Sequence, residues 1–517
     1  ARGITNDGDS NTNTVSGSIT TSGKNGRGIT NFGNTNINTV SGSITTSGEE
    51  GHGIYNYTYN DGGSNTNTVS GTITTSGEYG YGIFNVGNTN TTTISGTVKA
   101  TGASSAALYN GYGSGNNFTL DEGAIIIGDI LADDDATNSE LIFNLGASTS
   151  YAYSVSGKGV GTGEGQWTIS DLDGRTPVVT TGGTGCDTTI TGANNTVCNL
   201  VTAVGVGFAS NAEVQNELSH LNNSAVVNSL RGAKATHKDA EGNSAWVDLY
   251  TGSSKRTAST TDLTVLSFKS NTSGLTIGSP FMIGSTTQAD FVFNTSRTNL
   301  DLSSAKDQTV KLYSDKVGLV LDDLAPTSGW NVGAFGLVGA NSYKGTRKVM
   351  TNTSSTGSES ITSDYRGTEV IVGASVDKVQ PISDALRFEG GIDFNYTNEN
   401  IAGYSESKYF TWGSRRTTHA AAGITAGLVY EKDGLTTFGT VGTQRSNLMS
   451  GKTATYTNNG TAGSYTDSAK SDTHNTVSIG VSYKGSNGMS LTGNVSNSTS
   501  NNKVSGAITR LGFNWKF

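Results

Sequence analysis

The sequence predicts an all-β protein in three parts: a right-handed parallel β-helix, a linker α-helix, and a C-terminal antiparallel transmembrane β-barrel. Three observations predict it. Residues 1–120 repeat with a period of about 25, one capped helical segment stands near residue 210, and alternating oily and polar strands fill residues 244–517. Composition agrees: 71 glycines against 4 prolines, with 15% charged residues in a chain of 517, leave little room for long helices. An apolar content of 33% is thin for a packed core and suits a β-helix or a water-filled barrel, in which oily side chains serve one face. A net charge of −9 without clustered Lys and Arg argues against nucleic acid as a partner. The best apolar run, residues 124–132, is interrupted by Gly128 and Asp129, so any bilayer crossing falls to strands.

Residues 1–120 are the β-helix repeats. One column holds Ile4, Ile29, Ile54, Ile83 and Leu108, each followed two places on by an asparagine: Asn6, Asn31, Asn56, Asn85 and Asn110. A second holds Val15, Val40, Val69 and Ile94, each followed by Ser-Gly, and a third holds Ile19, Ile44, Ile73 and Val98. Stacked coils bury each aliphatic column as a ladder, with glycines at corners where a Cβ would collide. The asparagine column suits either a buried amide ladder or a left-handed bend. The spacing stretches to 29 residues between Ile54 and Ile83, and the extra residues lie in the polar run 57–64, which is expected to bulge outward. The repeat is already in phase at Arg2-Gly3-Ile4 and no signal peptide precedes it, so more coils are expected upstream of Ala1.

Residues 121–205 lose the period but keep short apolar strands between glycine-rich turns, which reads as terminal, irregular coils. Cys186 and Cys198 enclose a short loop whose closure as a disulfide would stabilise by roughly 3 kcal/mol and favours an oxidising compartment. Residues 182–187 match half of a calcium-binding nonapeptide, a motif that grips calcium only in tandem copies. In the linker, 206–243, Ser210-Asn211-Ala212-Glu213 forms a capping box, and Val214, Leu218, Leu221 and Ala225 follow at helical spacing until Arg231 and Gly232. Its other faces carry Gln215, Asn216, Glu217, Asn222 and Asn228, so this helix cannot face lipid. It suits a polar pore, the alternative being the surface of a soluble domain.

From residue 244 to residue 517 the alternation is clean. Phe388, Ile392 and Phe394 oppose Arg387, Glu389 and Asp393, and Val477, Ile479, Val481 and Tyr483 oppose Ser478, Gly480, Ser482 and Lys484. Strands of this length with one oily and one charged face match tilted bilayer crossings. Residues 350–364 and 450–472 read as long polar loops, whereas 430–435 reads as a tight turn. The final strand sets Leu511, Phe513, Trp515 and Phe517 on one face, a pattern that on its own fits a barrel strand or the edge of a soluble sandwich.

This order of parts resembles the type V autotransporters of Gram-negative bacteria, in which a β-helical passenger, a linker helix and a C-terminal barrel share one chain. The helix from residue 210 directly before a barrel, and the aromatic closing strand, carry the resemblance. It implies twelve barrel strands, a helix lodged in the pore, outer-membrane lipid around the barrel and a passenger on the cell surface, meeting a host or neighbouring-cell ligand. It also implies that the barrel-assembly machinery recognises Leu511, Phe513, Trp515 and Phe517, that periplasmic chaperones escort the chain, and that residues 121–205 assist passenger folding. Some members cut their own linker by cyclising an asparagine, which singles out Asn222 and Asn223, although the residues flanking them do not match that subset.

Enzymatic chemistry finds little support. A nucleophile needs a base, and the histidines are His52, His220, His237, His419 and His474, of which His52 alone lies in the repeats. Nucleophile-elbow, zinc-protease and phosphate-loop motifs are missing, and Gly8-Asp9-Ser10 resembles a lipase block by chance within a repeat. The expectation is a surface-displayed adhesive autotransporter, not an enzyme, with no cofactor and no metal. The rivals are an esterase or protease passenger on the same barrel, and a soluble β-helix of the polysaccharide-processing or phage-fibre kind.

Overall fold

The computed structural model describes residues 1–58, 63–144, 150–172, 178–183, 198–204, 210–237, 244–257, 267–283, 287–302, 308–322, 324, 329–458, 461–466, 471–486 and 488–516. The chain divides into two compact units. One is Ala1–Phe208 with Lys348–Ile361 and Asn458–Thr461, and the other is Ala209–Arg347 with Thr362–Thr457 and Ala462–Phe517.

In the first unit each of the first five coils contributes one strand to each of three parallel sheets, as Ile29–Phe32, Ile37–Val40 and Ser43–Thr46 do in the second coil. Register follows the sequence columns: Ile29 lies opposite Ile54, Val40 opposite Val69 and Ile44 opposite Ile73. All six are fully buried, so each aliphatic column is an unbroken apolar ladder inside a parallel β-solenoid. The longer coil stays in phase, because Thr66 still pairs with Ile37 and the extra residues fall between the strands Ile54–Tyr57 and Thr66–Val69. Glycine is required where coils touch: a Cβ on Gly42 would stand 1.9 Å from the Gly17 carbonyl oxygen of the coil beside it.

Columns of buried polar side chains bond from coil to coil. The asparagine column is an amide ladder, Asn6 donating to Asn31, Asn31 to Asn56 and Asn56 to Asn85 at 2.7–2.9 Å. Left-handed bends fall elsewhere, on Ser10, Thr35 and Thr89 and on Asn25, Glu50 and Tyr79. A second ladder runs from Asn13 through Asn38 and Asn67 to Thr92. Because an orphaned buried amide would cost about 1–3 kcal/mol, these ladders fix register as firmly as the apolar columns do. Parallel stacking continues to Trp167–Asp171, paired with Ser139–Asn144. Three strands of this region depart from the expected coils: Ser150–Val155 and Val178–Gly183 each pair antiparallel with Cys198–Val204. Cys186, and with it the proposed disulfide, lies outside the described residues, as do residues 184–187 of the calcium motif.

The second unit holds a closed antiparallel barrel of twelve strands: Ser244–Arg256, Phe268–Ile283, Thr287–Leu302, Thr309–Asp322, Trp330–Met350, Ser358–Pro381, Leu386–Ile401, Arg415–Lys432, Leu435–Ser450, Asp472–Lys484, Ser490–Ser500 and Val504–Lys516. Closure is direct, since the first strand pairs with the last from Ser244 opposite Lys516 to Arg256 opposite Val504. The oily faces point outward, with Ile392, Ile424, Ile479 and Val477 all more than half exposed, while Asp393 and Glu369 on opposite faces are buried. An apolar exterior on a barrel without edges is what a bilayer demands of strands. Among the described residues no helix is long and apolar enough to cross a membrane. The 430–435 turn is tight, with Asp433 and Gly434 both at positive φ, as a two-residue hairpin requires. The expected long loop at 350–364 is shorter than the sequence suggested, since strand resumes at Ser358. The described residues of 450–472 include the short strands Thr453–Asn458 and Thr461–Thr466.

Candidate functional site

The barrel lumen is occupied by the helix Ser210–His237. It runs past the expected stop at Arg231 and Gly232, since Ala233, Lys234 and Ala235 are strong helix formers and one glycine costs only about 1 kcal/mol. Of the four expected pore-helix residues, Val214, Leu218 and Ala225 are buried and Leu221 is half-buried. Val226, Val227 and Leu230 extend the apolar contact, packing with Trp246, Val292, Leu337 and Ile371 of the wall.

Polar contacts hold the helix on several sides. Gln215 accepts from Arg415, Glu217 pairs with Arg256 and Arg231 pairs with Asp393. Ser229 bonds to Asp248 and Thr276, and its carbonyl accepts from Arg510, which also pairs with Asp248 at 2.9 Å. Such contacts, reaching the first, second, seventh, eighth and twelfth strands, can be made only from inside the cylinder. His220 lies between His419 and His474, with ring centroids 5.7 and 5.8 Å away, beside a cavity of about 30 Å³ with room for about one water molecule. Among the described residues no group of three His, Cys, Asp or Glu is placed to hold a metal ion.

Asn222 and Asn223 sit at the centre of this plug. The Asn222 side-chain oxygen Oδ1 accepts from Ser296 and Thr298 at 2.9 and 3.2 Å, and the Asn223 side-chain amide donates to Glu369 at 2.8 Å. Glu369 in turn pairs with Lys316 at 2.6 Å, both fully buried. A buried ion pair is tolerated only when further hydrogen bonds satisfy it, and Asn223 and Ser314 supply them. Glu399, hydrogen-bonded to Asn341 and Tyr343, extends the network. The helical backbone is continuous through both asparagines, so in this state each side chain clamps helix to wall.

Sequence reasoning named the helix residues but not their wall partners Lys316, Glu369, Asp248, Arg415 and Arg510. The signal was present: Lys316 falls between Asp315 and the lipid-facing Val317, so a charge occupies the face opposite the oily one. On the closing strand, Leu511 and Phe513 face outward and Asn514 inward, while Phe517 lies outside the described residues.

A family model for the autotransporter beta-domain matches residues 245–496. Among solved structures, the chain is similar to the translocator domain of the autotransporter NalP from Neisseria meningitidis, at 15% identity and a TM-score of 0.45 over 60% of this chain and 98% of that one. It is also similar to the beta domain of the Bordetella autotransporter BrkA, at 10% identity and 0.39 over 54% and 100%. The transport unit of AIDA-I from Escherichia coli follows, at 11% identity and 0.36 over 54% and 92%. No curated protein matches the chain.

Proposed function

This chain belongs to the autotransporters of the bacterial outer membrane, and from that premise we propose that its solenoid acts as an adhesive passenger rather than an enzyme. The barrel translocates and anchors the β-helical passenger carried on the same chain. What supports a non-catalytic passenger is the use the solenoid makes of its reactive groups. His52, the single histidine of the repeats, is 3% exposed within a ring of aromatics and accepts from the Tyr81 backbone N–H, so no nucleophile can use it as a base. Asp9 accepts from the Asn34 N–H and Ser10 pairs with Thr35 of the next coil, so the lipase-like block serves coil stacking.

Three further readings belong to this proposal. Leu511, Phe513 and Trp515, with Phe517, form the strand that the barrel-assembly machinery reads, supported by the outward placement of Leu511 and Phe513. Outer-membrane lipid and periplasmic chaperones are the barrel's other partners, and the passenger meets a ligand on a host or neighbouring cell. Asn222 and Asn223 act as clamps, supported by their hydrogen bonds to the wall, and the linker stays uncut.

Adhesion is tested by comparing retention on a cell monolayer of bacteria that display the full chain with that of the same strain lacking it. Severalfold greater retention is expected. Unchanged retention, with hydrolysis of ester or peptide substrates by the displaying cells, would favour the enzymatic passenger instead.

A further inference from the structure

Among the described residues of the solenoid, the outward-facing aromatic side chains borne on strands stand on one of the three sheets. The outward position after the first buried column reads Thr5, Thr30, Tyr55, Phe84 and Tyr109, and strand register sets Tyr55 opposite Phe84 and Phe84 opposite Tyr109. Two places further on, Phe32 lies opposite Tyr57. Two places before the same buried column stand Arg2, Arg27, His52 and Tyr81. The outward positions of the other two sheets carry mainly threonine and serine, as at Thr39, Thr68, Thr45 and Thr74. A purely structural need for stacked rings would be met on any face, so concentration on one marks a surface that receives something.

The rings form a continuous, half-buried platform. Tyr81 and Tyr109 approach to 4.5 Å between centroids, Phe84 and Tyr109 to 4.8 Å, and Tyr55 and Phe84 to 5.2 Å. One end is cationic: the Arg27 guanidinium lies 3.8 Å from the Tyr55 centroid and that of Arg2 lies 5.2 Å from Phe32. Neither arginine has a carboxylate within ion-pair distance among the described residues, and Arg27 Nε is buried without a hydrogen-bond partner. Glu50 acts on Arg27 only at longer range. The other end is acidic, with the Tyr109 hydroxyl donating to Asp133 at 2.6 Å.

We propose that this stripe binds a linear acidic oligosaccharide lying along the solenoid axis, its sugar rings against the outer edges of Tyr55, Phe84 and Tyr109 and a uronate-type carboxylate paired with Arg27. The inference rests on the adhesive reading and deepens it. Three features select this occupant. Successive coils repeat at about 4.8 Å, close to the length of one pyranose unit in an extended chain, so the rungs offer a ring per sugar. A pyranose has apolar C–H faces and polar edges, which match the outward ring edges bordered by tyrosine hydroxyls and the Asp133 carboxylate. Finally, an arginine without a carboxylate partner is a ready bidentate receptor for one.

The test uses the full chain in detergent, with oligogalacturonate as the acidic probe and a cello-oligosaccharide as the neutral one, followed by calorimetry. Wild type is expected to prefer oligogalacturonate, Tyr55→Ala with Phe84→Ala to weaken it by roughly tenfold or more, and Arg27→Gln to erase the preference for acid over neutral sugar. Thr74→Ala, on another face, should bind as wild type. Far-UV circular dichroism identical to wild type shows the variants folded, and Arg27→Gln, which leaves the aromatic rings in place, keeps the test decisive if the double variant misfolds. Binding unaffected by every stripe substitution overturns the proposal, and so does capture of a protein but no sugar by the same residues. Adhesion that persists with no sugar binding overturns the glycan site and leaves the adhesive passenger standing. Sugar binding without adhesion does the reverse.

Discussion

His52 shows how one buried side chain ties the solenoid to pH. Its ring stacks on Tyr81 at 5.1 Å and meets Phe84 edge-on, and burial, with the nearby Arg27 charge, depresses its pKa from 6.5 to about 3. A histidine depressed on folding leaves the unfolded chain holding a proton that the folded chain refuses. Stability therefore falls as pH drops from 6.5 towards 3, by about 1.4 kcal/mol per unit, or about 2 kcal/mol by pH 5. Asp129 acts in the opposite sense. Burial raises its pKa from 3.8 to about 6, so its contribution is complete below 3.8 and is lost as pH rises through 6. The two oppose each other between pH 4 and 6, which hides either one in the wild type. His52→Gln separates them, since glutamine retains an acceptor for the Tyr81 N–H but does not titrate. In urea unfolding of the full chain in detergent, the variant should gain about 2 kcal/mol relative to wild type between pH 7.5 and pH 5. A gap that stays constant with pH would show that His52 protonates freely in the folded coil.

At the level of elements, legibility in the sequence depended on whether an element's partner lies at a fixed distance along the chain. The aliphatic and asparagine columns were readable because a period of about 25 places each side chain over its equivalent in the next coil. Barrel strands were readable because lipid on one side enforces alternation at each crossing. The lumen network was not, since the partnership of Lys316 with Glu369 or Arg231 with Asp393 depends on barrel tilt and stagger, which no single strand encodes. The aromatic stripe was visible as a column, yet attention to buried positions passes over outward ones. The helix itself was legible at its capped start and misread at its end, where Gly232 resembled a stop although no left-handed turn is needed there. What the helix does follows from its contacts: with its polar and apolar faces both bonded to the wall, it closes the lumen. Replacing residues 211–231 by a Gly/Ser linker of equal length keeps the tether and empties the pore. Conductance across a planar bilayer should then rise severalfold over wild type, and equal conductance would mean that wall side chains alone obstruct the channel.

Over the whole molecule, the two units divide the labour that a membrane without ATP imposes. The barrel's oily exterior settles it in the outer membrane, while the solenoid has a threonine- and asparagine-rich surface with its aliphatic side chains stacked inside. Unfolded, each coil exposes its aliphatic triplet, and once stacked it buries that triplet against its neighbour and completes two asparagine ladders. A chain that folds only on the far side cannot easily slide back, so nearest-neighbour stacking gives outward transport a direction. The same division predicts the outcome of adding protease to intact cells. Peptides from the coils of residues 1–171 should be lost wherever turns are accessible, and peptides from the twelve strands should survive because lipid and paired neighbours shield them. Mass spectrometry of the washed membranes reads the boundary, expected shortly before Ser210, where the helix enters a lumen too narrow for a protease. Recovery of intact repeat peptides, with degradation of the strands instead, would place the solenoid inside the cell and reverse the direction argued from its folding.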